Sequence, residues 1–490
     1  MAPSFLIGID VGTTAVKAIL IDAAGNRLAD FQRSVPMSRP SPGFAEQNPD
    51  HWAGAVLDAL TLFASRVDLS GLAAIGICSQ VNTHVFVGSD RGALMPAITW
   101  QDTRCTPEAE VLDAQVSAAQ KTAWFGGPVP IDTSHALSRM AYVARVHPDV
   151  YAKTRHVLLP KDFCVMRLTG EVVSDAIAAV GLAGAEGYVG ELLDLVPRAR
   201  ELLPALQGFH HVAGRVREGL PCAGTPVVVG AMDAWGGMFG VGVVDDGDAM
   251  YQCGTSDILG IVSSSVNPTS GVVLFPPYQG IVLHAAPTQS GGAALQWLSN
   301  VSGATPAQLS VSAAEVAPSD DLPLFLPHLE GERAPVWDAT SRGVFARMDS
   351  RTGIGDMARS VMEGVAFSAR WAMEALQDSS GVTVCQANIA GGGTRADTWC
   401  QIRADALGVA LQRTAVREST ALGAAILAGL GGAVVGSLRE AIRRLVRFDR
   451  TFEPQDANRA YYDEKFGHFI ALYDAMRPIN ARYRRRAPLP

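Results

Sequence analysis

Apolar runs punctuated by glycine turns predict short buried strands separated by a smaller number of amphipathic helices. Near the N-terminus one run starts at Phe5 and ends at Asp10, followed by the turn Gly12-Thr13-Thr14. A second run, Val16 to Ile21, closes on Asp22-Ala23-Ala24-Gly25-Asn26. Strand, tight turn, strand predicts an opening β-hairpin. A dinucleotide-binding start would lead from its glycine-rich turn into a helix instead. Asn48-Pro49-Asp50 then introduces a helical pattern over about 51–67, with Asn48 or Asp50 as its cap. Further strands are predicted at 73–78, 85–87, 97–100 and 225–230, and a helix over 138–146. The strand at 225–230 delivers the chain to Asp233 and a run of small residues, Gly236-Gly237 through Gly240-Val241-Gly242.

The pattern then repeats. Ala249 to Cys253, Gly254-Thr255-Ser256, and Asp257 to Val262 restate the opening strand, turn and strand. The spacing is too wide for a solenoid repeat and fits one supersecondary unit used in each of two related domains. A long helix over 354–378, a strand at 384–390, the turn Gly391-Gly392-Gly393 and a helix over 395–407 follow. An amphipathic segment at 457–476 predicts a final packing helix. The expected division is 1–244 for the first domain, 245–455 for the second, and 456–490 for a packing helix and basic tail.

Composition narrows the class. At 490 residues the chain exceeds one ordinary core, and 48% hydrophobic with 18% charged residues is a globular balance. A net charge of −8 argues against a nucleic-acid partner. The one basic run, Arg482, Arg484, Arg485 and Arg486, reads as a solvated tail. Seven scattered cysteines show no zinc spacing and no disulfide framework, which fits a reducing compartment. The apolar stretch from Ala421 to Val435 is too short to span a membrane, and no signal-like segment precedes Phe5, so a cytoplasmic location is expected.

The two Gly-Thr-Thr/Ser turns are the leading phosphate-binding candidates. Such turns expose consecutive backbone N–H groups with no β-carbon in the way and add hydroxyl donors. The bland alternative is a plain hairpin connection. Asp10 closes an apolar strand, where a carboxylate needs a partner. Mg²⁺ bridging to ATP phosphates would supply one, and so would N–H groups of its own turn. Asp233 suits the carboxylate that accepts a hydroxyl proton in phosphoryl transfer, and it suits a helix N-cap equally. Gly391-Gly392-Gly393 permits close backbone approach of a flat or anionic ligand. Ala421-Leu422-Gly423-Ala424-Ala425 reads as tight helix packing without chemistry.

In order, these motifs resemble the FGGY carbohydrate kinases, within the superfamily that also holds actin and the heat-shock ATPases. The resemblance runs from about residue 5 to 450. It rests on Gly8-Ile9-Asp10-Val11-Gly12-Thr13-Thr14, on Ala97-Ile98-Thr99-Trp100-Gln101-Asp102-Thr103-Arg104, and on Leu159-Pro160-Lys161-Asp162. Gly254-Thr255-Ser256, the block Phe325 to Pro335, Glu363-Gly364-Val365, Gly391 to Arg395 and Ala421 to Ala425 continue it. It implies an α/β fold of two ribonuclease-H-like (actin-like ATPase) domains with an interdomain catalytic cleft. It further implies Asp233 as general base, Asp10 beside the metal, and ATP held by Gly12, Thr13, Thr14, Gly254, Thr255, Ser256, Gly391, Gly392 and Gly393. Lys17 is either a phosphate contact or a solvent-facing hairpin lysine.

The family reads its sugar partly with the loop after the strand at 73–78, here Ser79-Gln80-Val81-Asn82-Thr83-His84. Xylulokinases resemble Gly-Gln-Met-His-Gly there and glycerol kinases Asn-Gln-Arg-Glu-Thr, so Val81 and Asn82 depart from both. Losing the Arg-Glu pair argues against glycerol. Gln80, Val81, Asn82, Trp100 and Asp102 are the candidate sugar-binding residues with Asp233. For Trp100 and Asp102 the alternatives are core packing and an Asp102–Arg104 turn contact. The resemblance implies an ATP- and Mg²⁺-dependent kinase acting on a hydroxyl of a small ketose, with a pentulose such as D-xylulose expected. A polyol or hexulose kinase (erythritol, a pentitol, tagatose) would differ only in the pocket. A nucleotide-binding regulatory ATPase would have no need of Asp233 beside a sugar-reading loop. Family members often form homodimers, which the resemblance carries over as an expectation.

Overall fold

The computed structural model describes residues 4–125, 130–184, 186–275, 277–278 and 280–482. Of the basic tail only Arg482 falls among them; Arg484, Arg485 and Arg486 lie outside the described residues. The chain divides into two compact units, residues 1–242 with 418–447, and residues 243–417 with 448–490.

The first unit opens on β1 (Phe5–Val11), β2 (Ala15–Asp22) and β3 (Arg27–Ser34), paired antiparallel in sequence as the hairpin pattern predicts. Asn48 caps α1 (Pro49–Arg66) by accepting from the Asp50 N–H at 3.0 Å, and Pro49 takes the first helical position, where no N–H is needed. Trp52, Val56, Ala59, Leu60 and Phe63 recur at helical spacing on the buried side of α1. They join Phe5, Ile7, Ile9 and Val11, the odd-numbered face of β1, in one core cluster. β4 (Leu72–Ser79) then pairs parallel with β1. A second cluster, including Phe86, Ile98, Leu137, Met140, Leu192 and Leu202, gathers around α2 (Ala136–Val146). After α3 (Pro160–Thr169), β5 (Val212–Arg215) and β6 (Pro226–Val228) complete a six-stranded sheet ordered β5-β6-β4-β1-β2-β3. β6 leads to α4 (Asp233–Gly240).

The second unit repeats this plan. β7 (Ala249–Cys253) and β8 (Asp257–Val262) form its hairpin, followed by β9 (Val273–Leu274) and β10 (Leu283–Pro287). α5 (Ile354–Ser380) separates them from β11 (Gln386–Ala390), α6 (Asp397–Leu407) and β12 (Ala410–Thr414). β11 pairs parallel with β7, and β12 parallel with β11. The seven-stranded order ends β10-β8-β7-β11-β12 and then β13 (Phe448–Phe452), antiparallel to β12. Within each sheet an antiparallel run, three strands in the first unit and four in the second, shares one strand with a parallel trio, and one antiparallel strand closes the far edge. This is the arrangement expected of a duplicated ribonuclease-H-like unit.

Two boundaries differ from the expected division. Glu418–Arg447, with α7 (Ser419–Gly431), belongs to the first unit. Glycines make that possible. A β-carbon on Gly8 would lie 1.9 Å from the Ala421 carbonyl oxygen, one on Gly76 2.0 Å from that of Ala424, and one on Gly240 1.8 Å from that of Ser419. α7 is therefore seated directly on β1, β4 and α4, confirming the tight-packing reading of Ala421 to Ala425. The expected packing helix is present as α8 (Arg459–Asn480), which carries Tyr462, Phe466, Phe469 and Tyr473 into the second unit's core and so belongs to that unit. The Glu363 carboxylate on α5 anchors it, accepting from Lys465 Nζ at 2.9 Å and Tyr461 Oη at 3.1 Å, with Arg359 Nε on its other oxygen at 2.9 Å. Among the described residues no helix is long and apolar enough to cross a membrane.

Gly8→Ala should lower stability by about 3 kcal/mol or more, because the new methyl strikes backbone instead of a movable side chain. Urea unfolding of the parent and variant checks this, and an unchanged midpoint would refute the packing argument.

Candidate active site

Sheet topology gathers the candidate residues of the first unit at one sheet end. Parallel strands end together, so Val11 of β1 lies opposite Ser79 of β4, and the Gln80 N–H donates to the Val11 carbonyl at 3.1 Å. β6 runs parallel to β4, and Met232 bridges to Ser79. Gly12-Thr13-Thr14, Gln80-Val81-Asn82 and Asp233 thus emerge side by side from the carboxyl ends of neighbouring strands. Ligands of open α/β sheets bind outside such ends.

Asp10 shares the even-numbered face of β1 with Gly8 and stands directly across from Lys17 on β2. Its Oδ1 is buried and has no hydrogen-bond partner, so its own turn does not satisfy it. Burial, then repulsion from Asp233, pushes its carboxyl up to about 7 against the opposing pull of Lys17. Asp233 is the first residue of α4, where Met232 rather than Asp233 occupies the cap position. Its Oδ1 accepts from the neighbouring Ala234 N–H at 2.8 Å, its own N–H also bonds the carboxylate, and burial nevertheless raises it to about 6. Two mutually repelling carboxylates, one with a vacant buried oxygen, fit a divalent cation. Among the described residues no group of three or more His, Cys, Asp or Glu could hold a metal. Mg²⁺ does not require one, since it keeps its waters and takes one or two carboxylates with phosphate oxygens.

The sugar-reading loop is tied to the first phosphate loop by a closed hydrogen-bond chain. Trp100 Nε1 donates to Thr13 Oγ1 at 3.0 Å, and Thr13 Oγ1 donates to Gln80 Oε1 at 3.0 Å. Thr83 Oγ1 also donates to Gln80 Oε1 at 3.2 Å, while Gln80 Nε2 donates to Gln47 Oε1 at 2.9 Å. Gln80 is 2% exposed. Its oxygen and one of its amide hydrogens are engaged within the protein, which leaves one amide hydrogen for a ligand. Asp102 is more fully committed. It is fully buried, gripped by Arg104 Nε at 2.9 Å and Nη2 at 2.7 Å, and it accepts from the Ala45 N–H at 2.6 Å. The Asp102–Arg104 alternative is the one observed. Thr13's hydroxyl is also taken, and the Gly12 N–H donates to the Ala15 carbonyl at 3.1 Å, leaving the N–H groups of Thr13 and Thr14 to any phosphate there.

Trp100 remains 40% exposed, an aromatic face held in place by its own N–H. Val81 and Asn82 stay partly exposed, and Asn82 adopts the left-handed region at φ 54° that Asn tolerates better than most residues. Its Nδ2 donates to Ser134 Oγ at 3.2 Å. Beneath this loop lies Arg139 of α2, fully buried, which donates to the carbonyls of Asn82, Ile98 and Thr99 and contacts His84 Nδ1 at 3.1 Å. Lys161 is similarly buried, bonded to Asp162 at 2.6 Å and Asp175 at 2.9 Å, and its N–H donates to Ser79 Oγ at 3.1 Å. Sequence reasoning missed Gln47 and Arg139. An arginine on an amphipathic helix gives no signal that it will turn inward, whereas the Lys161-Asp162 pair stood within a quoted motif.

In the second unit, Gly254-Thr255-Ser256 follows β7, and Gly391-Gly392-Gly393 follows the parallel neighbour β11. Gly391 sits at φ 102°, where a β-carbon would lie 2.4 Å from the Cys253 carbonyl oxygen. Only glycine lets the two turns lie so close. Gly392 faces open space, with no atom within 4 Å of where its β-carbon would be. Gly291 and Gly292 pack on the other flank, the Gly292 N–H donating to Gly254 O and the Ala293 N–H to Thr255 O, each at 2.9 Å. Behind the turn the buried Asp257 accepts from Tyr251 Oη at 2.7 Å and is raised to about 6, chiefly by burial.

Models of the FGGY family of carbohydrate kinases match both parts of the chain, the N-terminal domain at residues 5–240 and the C-terminal domain at 249–431. The chain belongs to the FGGY family of carbohydrate kinases. It is 30% identical to the xylulose kinase of Escherichia coli K12 across 97% of this chain and the whole of that protein. The crystal structure of a xylulose kinase from Rhodospirillum rubrum is 26% identical, with a TM-score of 0.83 over 98% of this chain and all of the other. One from Brucella ovis, described as a xyloylose kinase, is 31% identical with a TM-score of 0.83, covering 97% of this chain and all of the other. A carbohydrate kinase is a phosphotransferase with an alcohol group of a small sugar as acceptor and ATP as substrate, so the regulatory-ATPase alternative falls away.

The raised Asp10 carboxyl carries a stability prediction for the kinase. A folded carboxyl at about 7, above the unfolded value of 3.8, favours the protonated folded form, so this group costs stability as pH rises from about 4 to 7. Asp10→Asn should therefore melt higher than the parent at pH 8, by on the order of 2 kcal/mol, and equally near pH 4. Calorimetry of the metal-free proteins checks this. A variant less stable than the parent at pH 8 would mean that Asp10 already has a partner.

Proposed function

We propose that this carbohydrate kinase transfers the γ-phosphoryl group of Mg·ATP to a hydroxyl of a pentulose, with D-xylulose the first compound to test. The pair Asp10 and Asp233 carries the reading: two raised, mutually repelling carboxylates at the ends of the strands on either side of β4, one with a vacant oxygen. Full-length similarity to proteins named xylulose kinase supports the choice of acceptor. Phosphoryl transfer to an alcohol asks for positioning, charge neutralisation and a proton acceptor. Asp233 takes the hydroxyl proton, and at about 6 it is ionised at neutral pH while still basic enough to accept. Asp10 would hold Mg²⁺ through its waters, which would supply charge neutralisation at the phosphate oxygens, and Lys17 across the hairpin would meet a phosphate oxygen directly.

In the first unit the Gly12-Thr13-Thr14 turn is the phosphate-binding element; in the second unit the turn of Gly254, Thr255 and Ser256 is, with Gly391, Gly392 and Gly393 for the adenosine. Trp100 presents its indole face to the sugar carbons, and Val81 and Asn82 read its hydroxyls. The seven unpaired cysteines support a reducing, cytoplasmic setting.

An ADP-release assay with Mg·ATP over D-xylulose, D-ribulose, D-tagatose, erythritol and glycerol tests the acceptor. D-Xylulose should turn over far above the sugar-free background, and a better polyol or hexulose would replace the pentulose assignment. kcat/KM should fall about tenfold per pH unit below pH 6, as Asp233 takes up its proton. Asp233→Asn should lose roughly 10²- to 10⁴-fold in kcat while keeping nucleotide affinity. Near-parent transfer by that variant would remove Asp233 from the base role.

A further inference from the structure

We propose that Arg333 is the residue by which the second unit recognises the outer phosphates of the nucleoside triphosphate. The inference rests on the nucleotide assignment above and deepens it.

Arg333 is built into the wall of the second phosphate loop. The preceding residue, Glu332, is 4% exposed, and its carboxylate is bonded to the Gln289 N–H, to Ser290 Oγ and to the Arg333 N–H at 2.9 Å. Those bonds fix the backbone of 332–333 against the segment at 289–293 that flanks Gly254 and Thr255. The guanidinium consequently points along the loop. Nη2 donates to the Thr288 carbonyl at 2.7 Å and reaches Ser256 Oγ at 3.4 Å. Nε is buried with no hydrogen-bond partner.

A guanidinium carries five donors and stays charged throughout the physiological range. Here the adjacent carboxylate does not neutralise it by contact, since Glu332 spends its oxygens on neutral donors. An unpaired cation with spare donors beside a turn of exposed N–H groups is short of an anion with several oxygens. Phosphate meets that description, because it accepts forked guanidinium bonds. Arg333 supplies positive charge and geometry that the Gly254-Thr255-Ser256 turn lacks. It favours the triphosphate over the diphosphate because the additional phosphate brings more charge within its reach. The diagnostic-looking motif Gly331-Glu332-Arg333 thereby divides its labour, with Glu332 holding the backbone and Arg333 meeting the ligand.

The test measures Mg-nucleotide binding by calorimetry without any sugar, using a non-hydrolysable ATP analogue and ADP. Parent, Arg333→Gln and Arg333→Lys are compared, with apo melting temperatures alongside. Arg333→Gln should weaken the ATP analogue about tenfold more than it weakens ADP, the scale of one lost charged hydrogen bond. Arg333→Lys, which keeps the charge without the fork, should fall between. Should Arg333→Gln prove too unstable to measure, the lysine variant alone decides by the same ATP-to-ADP ratio. An unchanged ratio in the folded variants overturns the inference while leaving the kinase reading intact. A parent protein that binds neither nucleotide overturns both, and a parent that binds ATP but phosphorylates none of the sugars overturns only the acceptor.

Discussion

The close seating of α7 on β1, β4 and α4 is the contact on which the first unit's chemistry depends. Gly8, Gly76 and Gly240 each present bare backbone to a carbonyl of α7, at separations a single β-carbon would abolish. Gly423 returns the favour, its missing β-carbon leaving room for the Gly236 backbone. α4 is thereby clamped against the sheet face that carries Asp10, and Asp233 at its start is held where Asp10 feels its charge. Backbone-to-backbone contact fixes geometry more firmly than side-chain packing, because no rotamer can absorb a shift. Two carboxylates that repel one another stay together only on such a scaffold.

Most other buried charge in the molecule is neutralised in place. Lys161 lies between Asp162 and Asp175, Glu363 between Arg359 and Lys465, and Arg139 is bonded to backbone carbonyls. Each ties together segments distant in sequence, and breaking one partner would strand the other in a poorly solvating interior. Asp10, Asp233 and Arg333 contrast with these. Their polar atoms are buried or half-buried with bonding capacity left over, at the carboxyl ends of strands or beside a glycine turn. Such open bonding capacity, which Asp257 Oδ1 and Glu108 Oε2 also keep, is what a ligand can satisfy.

The two units use one plan differently. Both place a glycine-threonine turn between antiparallel strands, next to a parallel neighbour. In the first, Thr13 gives its hydroxyl to Gln80 and receives the Trp100 indole N–H, which couples the phosphate turn to the sugar-reading loop. In the second, the corresponding turn is flanked by glycines, with Arg333 reaching Ser256 from a distant segment and Arg403 buried behind it against Asp257. The two turns are alike in plan, and the segments packed around each give them different neighbours.

By itself the sequence determined the elements and most of the chemistry. Continuous apolar runs gave the hairpins, glycine positions gave the turns, and an acid at the end of an apolar strand announced Asp10 as a group needing a partner. These signals are local, so they survive without coordinates. What only the tertiary structure decided is which side chains are free. Gln80 and Asp102 look like sugar contacts in a motif, yet Thr13, Thr83 and Gln47 engage the one, and Arg104 and Ala45 the other. Arg139 turns inward beneath the loop and α7 crosses back to the first unit, neither of which is marked along the chain. Hydrogen-bond capacity and burial are shared among residues far apart in sequence, and only folding shows which groups have been used and which remain for a substrate.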